Sequence, residues 1–154
     1  MSTRINPAYQ AALRLLGRRD LSQKDLVGRL QRKGFARDDI EQALQRCIDL
    51  NYLDDRRLAE RLATDLQASG RAVGRRLLLE LEKRGIDPAL AESVVTDHAT
   101  DPAPVLRRVL QQKFSDYDDS RAEQRERRRV VNFFQRRGFR LGTILDVLRD
   151  STEE

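Results

Sequence analysis

One local pattern occurs three times in this chain, and it limits the possible folds more than any other feature. Residues 29–44 read RLQRKGFARDDIEQAL, residues 77–95 read LLLELEKRGIDPALAESVV, and residues 128–148 read RRVVNFFQRRGFRLGTILDVL. Each time, an apolar run with helical spacing ends in two basic residues and a glycine. An apolar residue and a second amphipathic run follow. If Gly34 is the first residue beyond a helix, in the left-handed conformation that disfavours a Cβ, then Leu30 and Phe35 are the positions that a Schellman motif packs together. The same count pairs Leu81 with Ile86 across Gly85, and Phe134 with Phe139 across Gly138. The basic pairs Arg32-Lys33, Lys83-Arg84 and Arg136-Arg137 then lie at the negative ends of their helices. Leu44, Val95 and Leu148 each fall ten residues past their glycine. The sequence therefore predicts structural turns at Gly34, Gly85 and Gly138. Each turn joins two helices, and each pair is preceded by another helix.

The rest of the chain reads as helix too. Ile40, Ala43, Leu44, Cys47 and Ile48 share one helical face, and Leu58, Leu62 and Leu66 recur every four residues. Ser22 with Asp25 resembles a capping box. Asp87-Pro88 and Asp101-Pro102 place a carboxylate before a proline, as at helix starts. The expected helices span 7–18, 22–33, 37–50, 54–68, 72–84, 88–98, 102–114, 119–137 and 141–149. The fold class is all-α: an elongated tandem array of three three-helix modules with helix-turn-helix-like repeats, at 1–53, 54–100 and 101–154. Apolar residues make up 39% of the 154 and charged residues 36%, with no Trp. That balance leaves too little apolar volume for one large core and favours small units side by side. No run is long and apolar enough for a membrane span, and MSTRINPAYQ lacks the apolar segment of a signal peptide. One cysteine, Cys47, allows no internal disulfide and suits a reducing compartment; the expected location is the cytoplasm.

The segment NYLDDRRLAERLATDLQASGRAVGRRLLLELEKRGI at 51–86 resembles the RecX family of regulatory proteins. Tyr52-Leu53-Asp54-Asp55, Arg57, Ala59, Glu80-Leu81 and Gly85-Ile86 match the family's pattern, and the modules around Leu26–Leu44 and 136–139 fit as well. The chain departs from the pattern at Asn51, where glycine is usual, and at Leu58, where an aromatic is usual. Asn tolerates the left-handed conformation, so the turn is expected to survive. The resemblance implies a protein that binds the RecA filament on DNA and restrains ATP hydrolysis, strand exchange and filament growth, with no cofactor and no catalysis of its own. A long helical array suits such a polymer, because several modest contacts made together multiply avidity. A monomer suffices for this reading.

A sequence-specific helix-turn-helix reader is disfavoured, because the second helix of the first module begins ARDDIEQ and would set Asp38, Asp39 and Glu41 against phosphates. Arg121, Arg125, Arg128, Asn132 and Arg136 form one stripe on the expected helix 119–137, with Arg129 close by. Its five arginines are the candidate partner contacts. The partner is either the filament or, through weak and non-specific contact, single- or double-stranded DNA; a solvated face is the plain alternative. A lone His98 and Cys47 offer no metal constellation, and Cys47 on an apolar face reads as a structural thiol. Asp54 and Asp55 read as caps. SGRAVGRR at 69–76 lacks the Gly-Lys-Ser/Thr of a phosphate loop. No catalytic, cofactor or metal residue is expected.

Overall fold

The computed structural model describes residues 5–153. Among these residues the chain is all helical, in the order α1 (Pro7–Arg18), α2 (Gln23–Arg32), α3 (Arg37–Asp49), α4 (Asp55–Ser69), α5 (Gly74–Lys83), α6 (Pro88–Asp97), α7 (Ala103–Lys113), α8 (Gln124–Arg136) and α9 (Leu141–Asp150). Short polar side chains start several of them. The Asn6 carboxamide accepts from the amides of Ala8 and Tyr9 at α1. Ser22 Oγ accepts from the Asp25 amide at 3.1 Å, Asp54 from Arg57 at 3.1 Å and Asp87 from Ala89 at 3.1 Å. At α7 the cap residue is Pro102, and the Asp101 carboxylate before it accepts from the Ala103 amide. Each such bond satisfies an amide that the helix itself leaves unpaired.

The three glycine turns form as the spacing predicts. Gly34, Gly85 and Gly138 have φ of +86°, +90° and +97°. Phe35, Ile86 and Phe139 each donate their amide to the carbonyl five residues earlier, Leu30, Leu81 and Phe134, at 3.3, 3.1 and 3.2 Å. Each glycine amide donates to a second helix carbonyl at 3.0 Å. Both bonds of the Schellman motif are therefore made three times. Asn51 has φ +61° at the end of α3 and makes the same pair of bonds with Tyr52.

Buried apolar side chains gather in three clusters along the chain. The first joins α1–α3 through Ala12, Leu26, Leu30, Ile40, Cys47 and Leu53. The second joins α4–α6 through Ala59, Ala63, Leu77, Leu81, Ala91 and Val94. The third joins α7–α9 through Leu106, Phe134, Phe139, Ile144 and Leu148. Val73, at the cap of α5, buries its side chain in this third cluster. Phe133 and Phe139 both pack edge-on against Phe134, with ring centroids 5.1 and 5.5 Å away. This T-shaped geometry adds to plain area burial. Among the described residues, α4 packs against α7 between the second and third trios, and the Gln23 amide bond to Asp55 ties the first trio to the second.

The structure corrects one helix boundary. The expected helix 119–137 begins only at Gln124. Residues 118–122 fold as a turn, with the Asp118 carboxylate accepting from the Ser120 amide and hydroxyl. Asp119 holds the turn in place: its side chain is 6% exposed and accepts from Tyr117 Oη at 2.6 Å and from Arg127 Nε at 2.9 Å. Burial and the adjacent Asp119 together hold the Tyr117 phenol well above its usual range.

Candidate partner-binding surface

On α8 the apolar residues Val130 and Phe134 are buried, while Arg125, Arg128, Arg129, Asn132 and Arg136 lie on the exposed side. The helical period separates these two faces. The five polar residues line one open, shallow groove with Glu123 and Glu126. Arg125, Arg128, Arg129 and Arg136 form no ion pair with another described residue, unlike Arg127, which is committed to Asp119. Four guanidiniums on one wall thus keep their fork of donors for an incoming group, and such a fork suits carboxylate or phosphate oxygens. Arg121 does not share this wall. It sits in the turn before α8, exposed, with Nε 3.8 Å from Asp118.

A further basic feature was not legible from sequence. Arg137, at the end of α8, stacks its guanidinium 4.2 Å from the Phe133 ring centroid and donates to the Gly70 carbonyl at 3.2 Å. Burial, and secondarily the charge of Arg71, lowers its pKa. The Arg137 carbonyl accepts from the Val73 amide at 2.9 Å. This arginine therefore holds α8 to the α4–α5 connection. The segment 69–76 spans that connection, with Ala72 and Val73 buried in it.

The remaining candidates fall into plain structural places. Cys47 is fully buried, and burial raises its pKa despite the nearby Arg46. His98 caps α6 with Nε2 3.9 Å from Glu60. Asp54 caps α4, whereas Asp55 reaches across to the first trio and accepts from the Gln23 amide at 2.9 Å. Among the described residues no group of three or more His, Cys, Asp or Glu is placed to hold a metal ion, and no helix is long and apolar enough to cross a membrane.

Comparison with known proteins adds to this geometry. Residues 8–47 match the profile of the first three-helix domain of RecX. Regulatory protein RecX of Syntrophotalea carbinolica is 45% identical over 86% of this chain and 88% of its own length. The chain belongs to the RecX family. A second RecX protein, from Trichlorobacter lovleyi, is 38% identical over 90% of the chain and 92% of its own length. The crystal structure of RecX from Lactobacillus salivarius shares the fold, with a TM-score of 0.71 at 20% identity over 93% of both chains. A second RecX crystal structure aligns with a TM-score of 0.72 at 19% identity, over 93% of this chain and 70% of the other. Membership of the RecX family assigns the chain a regulatory role.

Proposed function

We propose that this chain binds the RecA–DNA filament and restrains its ATP hydrolysis, strand exchange and extension, without a cofactor or a catalytic step of its own. The observation that carries the reading is the unpaired arginine wall of α8 on a tandem array of helical trios, taken as repeats at 1–53, 54–100 and 101–154. An extended row of units engages several subunits of a polymer at once, and linked contacts gain effective concentration without each being strong. The mixed charge elsewhere suits recognition of a charged groove and speeds encounter.

The test is RecA ATP hydrolysis on single-stranded DNA with the chain titrated in. The expected result is loss of hydrolysis at substoichiometric chain. Undiminished hydrolysis on well-assembled filaments overturns the reading. Replacing Arg125, Arg128 and Arg129 together with Ala should weaken filament binding, and unchanged affinity would return the wall to solvated surface.

The same unpaired arginines favour a second reading, non-specific binding of naked nucleic acid through α8. Under it, naked-DNA affinity falls steeply with salt, and each arginine removed lowers the log–log slope by about 0.7–0.9. Strong naked-DNA binding with no effect on RecA would select this alternative.

A further inference from the structure

The two junctions between neighbouring trios are built differently. At the second, apolar side chains and backbone hold the trios together. Val73 reaches out of its own trio into the α7–α9 cluster, and its amide donates to the Arg137 carbonyl at 2.9 Å. Gly70, at the end of α4, rests on the Val105 and Val109 side chains of α7, and the Gly138 turn lies against Val73 and Arg76. Arg137 donates to the Gly70 carbonyl and Arg108 to the Ala68 carbonyl, so the end of α4 finds donors in the third trio. Parting these trios would empty a place in a core and strand buried backbone groups.

The first junction has no such core. The α1–α3 cluster draws its members from residues 9–53 and the α4–α6 cluster from 58–95, with none shared. Among the described residues, no helix of the first trio packs on a helix of the second as closely as α4 does on α7. What meets there is polar. The Gly85 turn lies on Ser22 and Asp25 at the start of α2. Asp55 accepts from the Gln23 amide at 2.9 Å, and Arg61 pairs with Asp20, both side chains about half exposed. Water can replace each of these partners when the junction opens, and an exposed ion pair resists separation little. Adjoining units move relative to one another unless their interface is large and apolar.

The link between these two trios is short and fastened at both ends. Leu53 is buried in the first cluster, and Asp54 starts α4 by accepting from the Arg57 amide. The Arg57 guanidinium also reaches back to the Asn51 carbonyl at 3.0 Å. The backbone left to turn is that of Leu53 and Asp54, so the trios can rotate but not slide.

We infer that the chain moves as two bodies: the first trio swings about the Leu53–Asp54 link, the second and third turn together, and Asp55 on the Gln23 amide is the latch. The carboxylate stands at the positive end of α2, on an amide that the helix itself leaves unpaired. The swing changes the distance between the first trio and the arginine wall of α8 while both keep their internal structure. A pivot of this kind makes the spacing of two contacts on one partner adjustable, whatever the wall binds.

Spin labels read the motion in the full chain, because Cys47 is buried and stays unlabelled. Gln10→Cys with Glu92→Cys spans the first junction, and Glu92→Cys with Gln112→Cys spans the second; all three positions are exposed. Pulsed dipolar spectroscopy should show a second, displaced population for the first pair and a single narrow distribution for the second. Asp55→Ala should raise the displaced population relative to the closed one about two- to tenfold, the weight of one net hydrogen bond, and leave the second pair unchanged. Asp55→Asn keeps an acceptor oxygen and should behave as the parent; circular dichroism verifies the fold of both variants. In the parent alone, a first-pair distribution as narrow as the second overturns the two-body motion, and so does equal breadth in both pairs. A folded Asp55→Ala variant with the parent's distribution overturns the latch.

Discussion

The three turn glycines share one backbone conformation but differ in what surrounds them, so substituting alanine at each separates local strain from packing between trios. At positive φ a Cβ costs about 1–2 kcal/mol. At Gly34 nothing else opposes it, so Gly34→Ala should lose about that much and no more. At Gly85 the added methyl collides with Ser22 Oγ and presses on Ser22 Cβ and Asp25 Oδ1, each at 3.2 Å. At Gly138 it collides with the Val73 carbonyl oxygen, and meets Arg76 Cβ at 2.8 Å and the Val73 carbonyl carbon at 3.0 Å. Overpacking of this kind adds about 1–3 kcal/mol, bringing Gly85→Ala and Gly138→Ala to about 2–5 kcal/mol each. The two sites should also respond differently to rescue. Ser22→Ala alone costs about 1 kcal/mol as a lost helix cap. In the Gly85→Ala background it also removes the worst collision, so the pair should be better than additive by about 1 kcal/mol or more. No side-chain truncation at Val73 can do this for Gly138→Ala, because the obstacle there is backbone. Urea denaturation of the three single variants and the Ser22 double-mutant cycle supplies the numbers. Equal losses at all three glycines, or strict additivity of Ser22→Ala with Gly85→Ala, would refute the junction argument.

Three further outcomes follow from individual side chains. The Cys47 thiol, buried and with its pKa raised, should react with a thiol reagent only as fast as the first trio opens, and a reaction at the rate of a free thiol would contradict that. Asp55 has its pKa raised above the ordinary 3.8, chiefly by burial, with the Gln23 amide opposing. The folded state therefore holds its proton more tightly than the unfolded one, so its stabilisation is greatest in acid and declines as pH rises from about 3.8 through the folded value. Against Asp55→Asn, the parent should lose ground across that window and hold a constant difference above it; denaturation series from pH 3 to 7 (about the carboxylate range) check the sign. Asp119→Ala removes the acceptor shared by Tyr117 and Arg127. It should cost about 1–3 kcal/mol and open the 114–123 connection to proteolysis, while leaving the first two trios protected.

Much of the fold was legible because its signals are local. A Schellman turn needs one glycine and two apolar residues at fixed spacing, and Leu30–Phe35, Leu81–Ile86 and Phe134–Phe139 supply them. The caps at Ser22, Asp54 and Asp87 are equally local. The sequence places the start of α8 too early because the arginine periodicity of 125–136 extends back to Arg121. The turn-forming run Asp118-Asp119-Ser120 was the available contrary signal, and the bond from Asp119 to Arg127 makes it decisive. That correction removed Arg121 from the groove and left Arg125, Arg128, Arg129 and Arg136 together. The junctions were not legible at all. Nothing in the neighbourhood of Ser22 announces that Gly85 will rest on it, and Arg137 reads as one more basic residue at a helix end until Gly70 and Phe133 are seen around it.

Val73 has a practical consequence for dissecting the chain. Its side chain completes the core built by α7–α9, although it sits ahead of α5 in the chain. A C-terminal fragment cut near residue 100 would lack this member of its buried cluster and leave a gap that its own residues do not fill. Chimaeras that swap the last trio between homologues should therefore match the donor at position 73, and a hybrid that ignores this should fold less well than either parent even though every helix in it is intact.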